Sequence, residues 1–199
     1  ADQVSPLATA VGAANTLVAT PAGWRADNTD VAGIVGALGQ AGIVTVSSVV
    51  VLGAGGTAQA ALAALHQLGA STVTVVVRNP DRAGELRASA ERIGVGIQLR
   101  PGLLERELPA GDVLVSTLPA HAADAVRWPA GRPPRVVLDA IYAPWPTALG
   151  AAAQAEGAQV VSGLDMLLHQ ALAQVRLFTG EPAPEAVMRR ALMQAADRR

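Results

Sequence analysis

The chain of 199 residues is 51% hydrophobic, carries a formal net charge of −1 and has no cysteine. Disulfide and thiolate chemistry are thereby excluded, and no basic block marks a nucleic-acid or anionic-membrane surface. No apolar run approaches about 20 residues and no leader precedes the first strand, so one soluble core with at most a small appendage is expected, a cytoplasmic location being permitted.

Residues 1–10 have a polar start and a proline at position 6, and read as the end of a preceding unit. Val11 to Val18 is an extended segment that Pro21-Ala-Gly23 turns back into Trp24, which predicts a β-hairpin. Asn28, Thr29 and Asp30 supply N-cap chemistry for a helix over 31–40, with Ile34, Val35 and Leu38 on one side. Val49 to Leu52 has no polar interruption, as a strand buried on both faces should have. Gly53, Gly55 and Gly56 make a tight turn, and Ala-rich sequence from Thr57 with Leu62 and Leu65 predicts a helix ending near Gly69. A second strand follows at 73–77. Asn79-Pro80 then opens a helix to about Ile93, an N-cap followed by proline at the first helical position. Further strands are predicted at 97–99, 112–117, 135–142 and 159–162. Further helices are predicted from Pro146 to Gly157, from Leu164 to Phe178 and from Glu185 to Ala196. Alternating strands and helices give a Rossmann-like α/β fold, a doubly wound parallel sheet with helices on both faces.

The first strand, its turn and its helix match G-x-G-x-x-A in the strand–turn–helix context that the motif requires. Gly53 permits the turn, Gly55 lets a pyrophosphate approach the backbone, and Ala58 lets helix and strand pack closely. Phosphates would sit on free N–H groups at the helix start. About 20 residues on, where NAD binders usually carry an acid for the ribose hydroxyl, stand Arg78 and Asn79, with Arg82 beyond. Two guanidiniums suit a 2′-phosphate, which favours NADP(H) over NAD. The competing reading makes Arg78 a strand-end charge and Arg82 a solvated one.

Asn15 and Asp30 lie close to turns upstream of this unit and could face a cleft beside the nicotinamide, although spacing alone favours an N-cap for Asp30 and a turn role for Asn15. Asp139 and Tyr142 follow a strand end, where ligands bind in such sheets. Met166 and Gln170 share one helical face, Met166 reading as core and Gln170 as exposed. His66, His121 and His169 lack metal-ligand spacing, so no metal is expected. No G-x-S-x-G or H-E-x-x-H occurs, so hydrolysis is unsupported.

Taken together, Gly12-Ala-Ala-Asn-Thr-Leu17, Asp27-Asn-Thr-Asp-Val-Ala-Gly33, Gly53-Ala-Gly-Gly-Thr-Ala58, Asp139-Ala-Ile-Tyr-Ala-Pro-Trp-Pro-Thr147, Gly163-Leu-Asp-Met-Leu-Leu-His-Gln170 and Phe178-Thr-Gly180 resemble the shikimate dehydrogenase family. The Ala/Val-rich, lysine-free character is similar to its actinobacterial members. The resemblance implies NADPH-dependent reduction of 3-dehydroshikimate to shikimate, in the route to chorismate and the aromatic amino acids. It implies substrate contacts from Asn15, Asp30, Tyr142 and Gln170, with Asp30 at the reacting end beside a catalytic lysine. It implies cofactor contacts along Gly53, Ala54, Gly55, Gly56, Thr57 and Ala58, from Arg78, Asn79 and Arg82, and from Ser116, Thr117, Ala140, Gly163 and Met166. Val77 stands where the family usually has Asn, and Asn79 where it has Thr.

All 15 basic residues are arginine, so the catalytic lysine of the family is absent. The expected organisation is a remnant of a substrate-binding α/β domain over 1–29, the cofactor domain over 30–170, and C-terminal helices over 171–199 that pack back toward the substrate domain. The polypeptide alone is then expected to be inactive. An apolar face on its last helices would invite self-association, as in a homodimer. An NAD-linked quinate/shikimate dehydrogenase and a non-catalytic dinucleotide-binding module are the alternatives.

Overall fold

The computed structural model describes residues 1–102 and 107–196; the tail of the last expected unit, 197–199, lies outside them. Two sheets are present. The smaller joins β1 (Gln3–Val4), β3 (Gly23–Asp27) and β2 (Thr16–Thr20) in that order, β2 and β3 forming the expected antiparallel hairpin. A short helix α1 (Pro6–Val11) precedes it, capped by the Ser5 hydroxyl, which accepts from Ala8 N, and ended by Gly12 at φ 78°. The opening residues are therefore structured, and the chain is helical at Val11, where the reading above expects extended backbone. The signal is Ser5-Pro6, an N-cap followed by proline at the first helical position.

The larger sheet is parallel and six-stranded. In spatial order it runs β6 (Gly96–Pro101), β5 (Thr72–Val77), β4 (Val49–Leu52), β7 (Val113–Ser116), β8 (Val136–Asp139), β9 (Gln159–Ser162). Its order reverses at β4, so a crevice opens at the carboxyl ends of β4 and β7, the place where doubly wound sheets bind ligands. All residues of β4, β7 and β8 are buried; β4 is apolar throughout, while β7 and β8 end in the buried polar residues Ser116 and Asp139.

One face of this sheet packs against α2 (Asp30–Gln40), α3 (Gly56–Gln67), α4 (Gly84–Ile93) and Met166 of α6 (Gly163–Thr179). The other packs against α5 (Ala148–Ala155) and the segment carrying Leu108, Val126 and Trp128. The last helix, α7 (Glu185–Ala196), has no buried residue.

Two expected helix starts move. The segment after Asn79 is a 3₁₀ turn, Pro80–Arg82, separated from α4 at Ala83, because the Asn79 side chain accepts from Asp81 N and closes only a tight turn before Gly84. Helix α5 starts after Thr147 rather than at Pro146, the Thr147 hydroxyl accepting from Gly150 N at 3.0 Å.

Helices α2 and α6 meet through two glycines. A Cβ at Gly33 would stand 2.8 Å from the Met166 carbonyl oxygen, and one at Gly36 would stand 2.5 Å from the His169 ring. Gly39, on the same helix, faces open space. Gly33→Ala is therefore expected to lower stability by about 1–3 kcal/mol through overpacking, despite its better helix propensity. Gly39→Ala should be neutral or gain up to about 1 kcal/mol. Urea unfolding midpoints of the two variants check this, and equal effects would contradict the close-packed contact.

Candidate functional site

The crevice holds two cavities, one on either side of the glycine turn. The first, about 470 Å³, is lined by Gly53, Ala54, Gly55, Val76, Val77, Arg78, Asn79, Arg82 and Leu118. Gly53 sits at φ 108°, where a Cβ would also meet Thr117 Oγ1 at 2.5 Å, so only glycine fits. A Cβ at Gly55 would meet nothing: the backbone there is open to an incoming group. Gly55 is the N-cap of α3 and offers no capping side chain, so the first N–H groups of that helix have no side-chain partner from the cap. Arg78 and Arg82, both exposed, bring two guanidiniums to the far end of this cavity. The nearby acid Asp81 is exposed on the 3₁₀ turn and does not line it. Glycine backbone, a helix start and paired guanidiniums are a donor set that fits a dinucleotide carrying an extra phosphate.

The second cavity, about 280 Å³, is lined by Asn15, Asp30, Thr57, Ala140, Tyr142, Gly163, Met166, Leu167, Gln170 and Gln174. Residues far apart in the sequence thus meet here from the hairpin, from the first turns of α2 and α3, from the β8 end and from α6. Asp30 is the first residue of α2, but it is not the cap: Asn28 Oδ1 accepts from the Asp30 and Val31 N–H groups. The Asp30 carboxylate is left free to accept from Asn15 Nδ2 at 2.7 Å. Burial raises the Asp30 carboxyl above its ordinary value, and the Asn15 hydrogen bond opposes that rise.

Beneath this pair, Asn15 Oδ1 accepts from Thr29 N at 2.9 Å and from the hydroxyls of Thr16 and Thr29 at 2.8 and 3.0 Å. Gln170 Oε1, at 3.2 Å, is the alternative acceptor for the single Thr29 hydroxyl proton. Gln170, read above as exposed, is thus half-buried and bonded across to the start of α2. Met166 is buried, as expected, yet it also lines the cavity.

The β8–α5 loop that carries Tyr142 is tied down by Asp139. Its carboxylate, 2% exposed, accepts from Thr147 Oγ1 at 2.8 Å and from Ile141 N at 3.3 Å. Burial nevertheless pushes the Asp139 carboxyl up, against the Thr147 and Ile141 hydrogen bonds that lower it. Ser116 lies opposite Asp139 in the β7–β8 register; it adds the smallest lowering effect, yet its buried hydroxyl has no well-aligned partner among the described residues. A Cβ at Gly163 would run into the Ala140 carbonyl, so the start of α6 is pressed against the β8 end.

The two cavities therefore gather Asn15, Asp30, Gly53, Ala54, Gly55, Thr57, Arg78, Asn79, Arg82, Ala140, Tyr142, Gly163, Met166 and Gln170. Gly56, Ala58, Ser116 and Thr117 line neither. Ala58 is fully buried, and Thr117 donates to the Leu52 carbonyl at 2.8 Å. His121 is an exposed loop residue at φ 66° whose ring pairs with Asp124. Sequence reasoning missed Leu118, Thr16, Thr29 and Gln174. Gln174 had a readable signal, since it lies one turn beyond Gln170 on the same face. No group of three or more His, Asp or Glu side chains among the described residues could hold a metal ion. No described helix is long and apolar enough to cross a membrane.

Comparison with known proteins is consistent along the chain. The model of the shikimate/quinate 5-dehydrogenase family matches residues 37–123, and that of the shikimate 5′-dehydrogenase C-terminal domain matches 163–193. Shikimate dehydrogenase (NADP(+)) of Anaeromyxobacter dehalogenans is 41% identical over 198 residues, covering 95% of this chain and 69% of that protein. The Moorella thermoacetica enzyme of the same name is 35% identical, covering 98% of this chain and 69% of that protein. Among solved structures, Mycobacterium tuberculosis shikimate dehydrogenase superposes with a TM-score of 0.82 at 46% identity, covering 98% of this chain and 73% of that one. The Thermus thermophilus enzyme, solved with NADP(H) and shikimate, superposes with a TM-score of 0.79 at 32% identity, covering 98% and 72%. With its glycine turn, its paired guanidiniums and its Asn15–Asp30 cleft on one parallel sheet, the chain belongs to the shikimate dehydrogenase family.

Proposed function

We propose that this chain binds NADP(H) along the first cavity and, in the second, takes the polyol in the reversible reduction of 3-dehydroshikimate to shikimate. The observation that supports this best is the meeting of Asn15, Asp30, Tyr142 and Gln170 in one cleft, whose wall also includes Thr57, just beyond the Gly53–Gly55 turn. A bound NADPH supplies the hydride. Gly53 and Gly55 let its phosphates reach the backbone, Arg78 and Arg82 hold the 2′-phosphate, and Gly163 and Met166 flank the ring end. Asn15, Gln170 and Tyr142 hydrogen-bond the hydroxyl groups of the substrate, and Asp30 accepts from the hydroxyl at the reacting carbon. Residues 1–29 then belong to the substrate-binding domain, 30–170 form the cofactor domain, which shares in the cleft, and 171–199 form the C-terminal unit that packs toward the substrate side.

Reducing a ketone also needs a proton delivered to the developing alkoxide, a contribution typically worth about 10²–10⁴-fold. The sequence has no lysine to give it, and Asp30 is the carboxyl in the cleft. Burial keeps a proton on Asp30 to higher pH than on a solvated carboxyl, but the hydrogen bond from Asn15 favours its ionised form. We accordingly propose that the 199-residue polypeptide binds cofactor with little or no turnover. Exposed Phe178, Val187 and Met193 on the last two helices favour its self-association.

Shikimate-dependent NADP reduction by the 199-residue chain should lie at least about 10²-fold below that of a family member that has its lysine, with NADPH binding retained. Turnover comparable with such an enzyme would make Asp30 the sole acid/base. Arg78→Ala/Arg82→Ala should weaken NADP binding by about 10-fold or more, as the loss of charge-assisted contacts requires, while NAD binding stays within a few-fold. Calorimetry with both cofactors reads this, and equal losses for the two would remove the 2′-phosphate assignment.

Asp30 also sets a pH-dependent stability. Its folded-state pKa is raised, so the native chain holds that proton more tightly than the unfolded one. Stability is then lost as pH rises from the ordinary carboxylate range through the raised value. Asp30→Asn should match the wild type below about pH 4 and gain on it as pH approaches roughly 7. Denaturation series across that range check the sign; a difference that is flat in pH would contradict the burial effect.

A further inference from the structure

Thr16 is a hydroxyl 3% exposed on β2, on the same buried face as Val18, a position at which an apolar side chain would ordinarily be expected. It is fully engaged. Thr16 Oγ1 donates to Asn15 Oδ1 at 2.8 Å, accepts from Gln174 Nε2 at 3.2 Å and lies 3.1 Å from Thr29 Oγ1. Asn15 itself is exposed, so its own packing does not fix which end of the amide faces Asp30. The surrounding donors do. Thr29 N can only donate, and it points at the same Asn15 oxygen as the two threonine hydroxyls. The amide nitrogen is thereby turned outward to Asp30 Oδ1 at 2.7 Å. Gln174 brings the far end of this chain of hydrogen bonds onto α6, the helix that also carries Gln170 and Met166.

We propose that Thr16 and Gln174 are positioning residues: together they lock the Asn15 amide with its N–H groups toward Asp30 and so set the donor and acceptor pattern that the second cavity shows a hydroxylated ligand. The identity of that ligand rests on the function proposed above; the locking itself does not. Among the described residues no charged side chain is hydrogen-bonded or ion-paired to Asp30. The Asp30 carboxyl therefore reports the orientation of Asn15 directly.

The test is a pH titration of the aspartate carboxyl carbons by NMR in the ligand-free 199-residue chain, with Asp30 assigned from Asp30→Asn. Asn15→Ala, which deletes the hydrogen bond, should move the Asp30 midpoint upward by about one pH unit. Thr16→Val should move it the same way, Gln174→Met the same way by less, and Thr16→Ser should restore the wild-type value. A folded Thr16→Val with the wild-type midpoint overturns the proposal, as does Thr16→Ser behaving like Thr16→Val. If Thr16→Val does not fold, Gln174→Met decides, and an unmoved midpoint there overturns it. A shikimate titration in the presence of NADP separates the two readings. A wild-type chain that binds no shikimate removes the proposed substrate and leaves the carboxyl result standing. Shikimate bound equally by wild type and Thr16→Val, with an unmoved carboxyl, removes only the positioning role.

Discussion

Two helices approach more closely than side chains normally permit, and the site is assembled by that approach. Helix α2 begins at Asp30 and α6 carries Met166, Gln170 and Gln174, so the spacing of these groups is set where Gly33 and Gly36 rest on Met166 and His169. Neither helix can slide without driving a backbone carbonyl or an imidazole into the other. A third glycine, Gly163, presses the start of α6 against Ala140 at the end of β8. Helix α2, helix α6 and the end of β8 are in this way held to one geometry by positions that have no side chain. Close-packed interiors have low compressibility, so strain at such contacts is passed on to their neighbours.

The polar groups under the cleft are a second constraint with the same effect. Thr16, Asn28, Thr29 and Asp139 are all buried, and each is hydrogen-bonded. In a low-dielectric surrounding an unmatched group of this kind is costly, so the bonds are made in one arrangement and seldom in another. The cleft is consequently preorganised from below, while Asn15 and Tyr142, which face the opening, are exposed.

Much of this was legible in the sequence where local chemistry and tertiary demand agree. Strand β4 reads as an unbroken apolar run because both of its faces are covered, and the start of α7 is legible in the prolines that precede it. The G-x-G-x-x-A match in its strand–turn–helix context gives Gly53 the turn and Gly55 the close approach; Gly53 has a positive φ, and the backbone at Gly55 is open. Elements whose existence depends on partners were harder. The two-residue strand β1 has no pattern of its own and exists by pairing with β3. The break at Ala83 follows from an Asn79 side chain that closes a turn too tight for an α-helix to continue. Thr16 and Thr29 stand inside the motifs, and Thr29 reads as N-cap chemistry, but nothing marks either as a site residue, since a threonine in a strand or before a helix is ordinary; only the fold brings their hydroxyls to Asn15. The family motifs located Gln170 but not Gln174, whose partner lies 158 residues away.

The two cavities share no lining residue: Gly53, Ala54 and Gly55 belong to one, Thr57 to the other, and the turn between them is a ridge. On the proposed reading a dinucleotide straddles that ridge, so it behaves as two weak ligands joined by a short tether. With its phosphate-rich end held by Arg78 and Arg82, such a dinucleotide would present its ring end near Met166 at an effective concentration set by the tether, on the order of millimolar. Discrimination and chemistry are then separable in space. The adenosine end can be re-tuned at the β5 terminus without disturbing the contacts around Asp30, and the polyol pocket can change its preference without altering which cofactor is held.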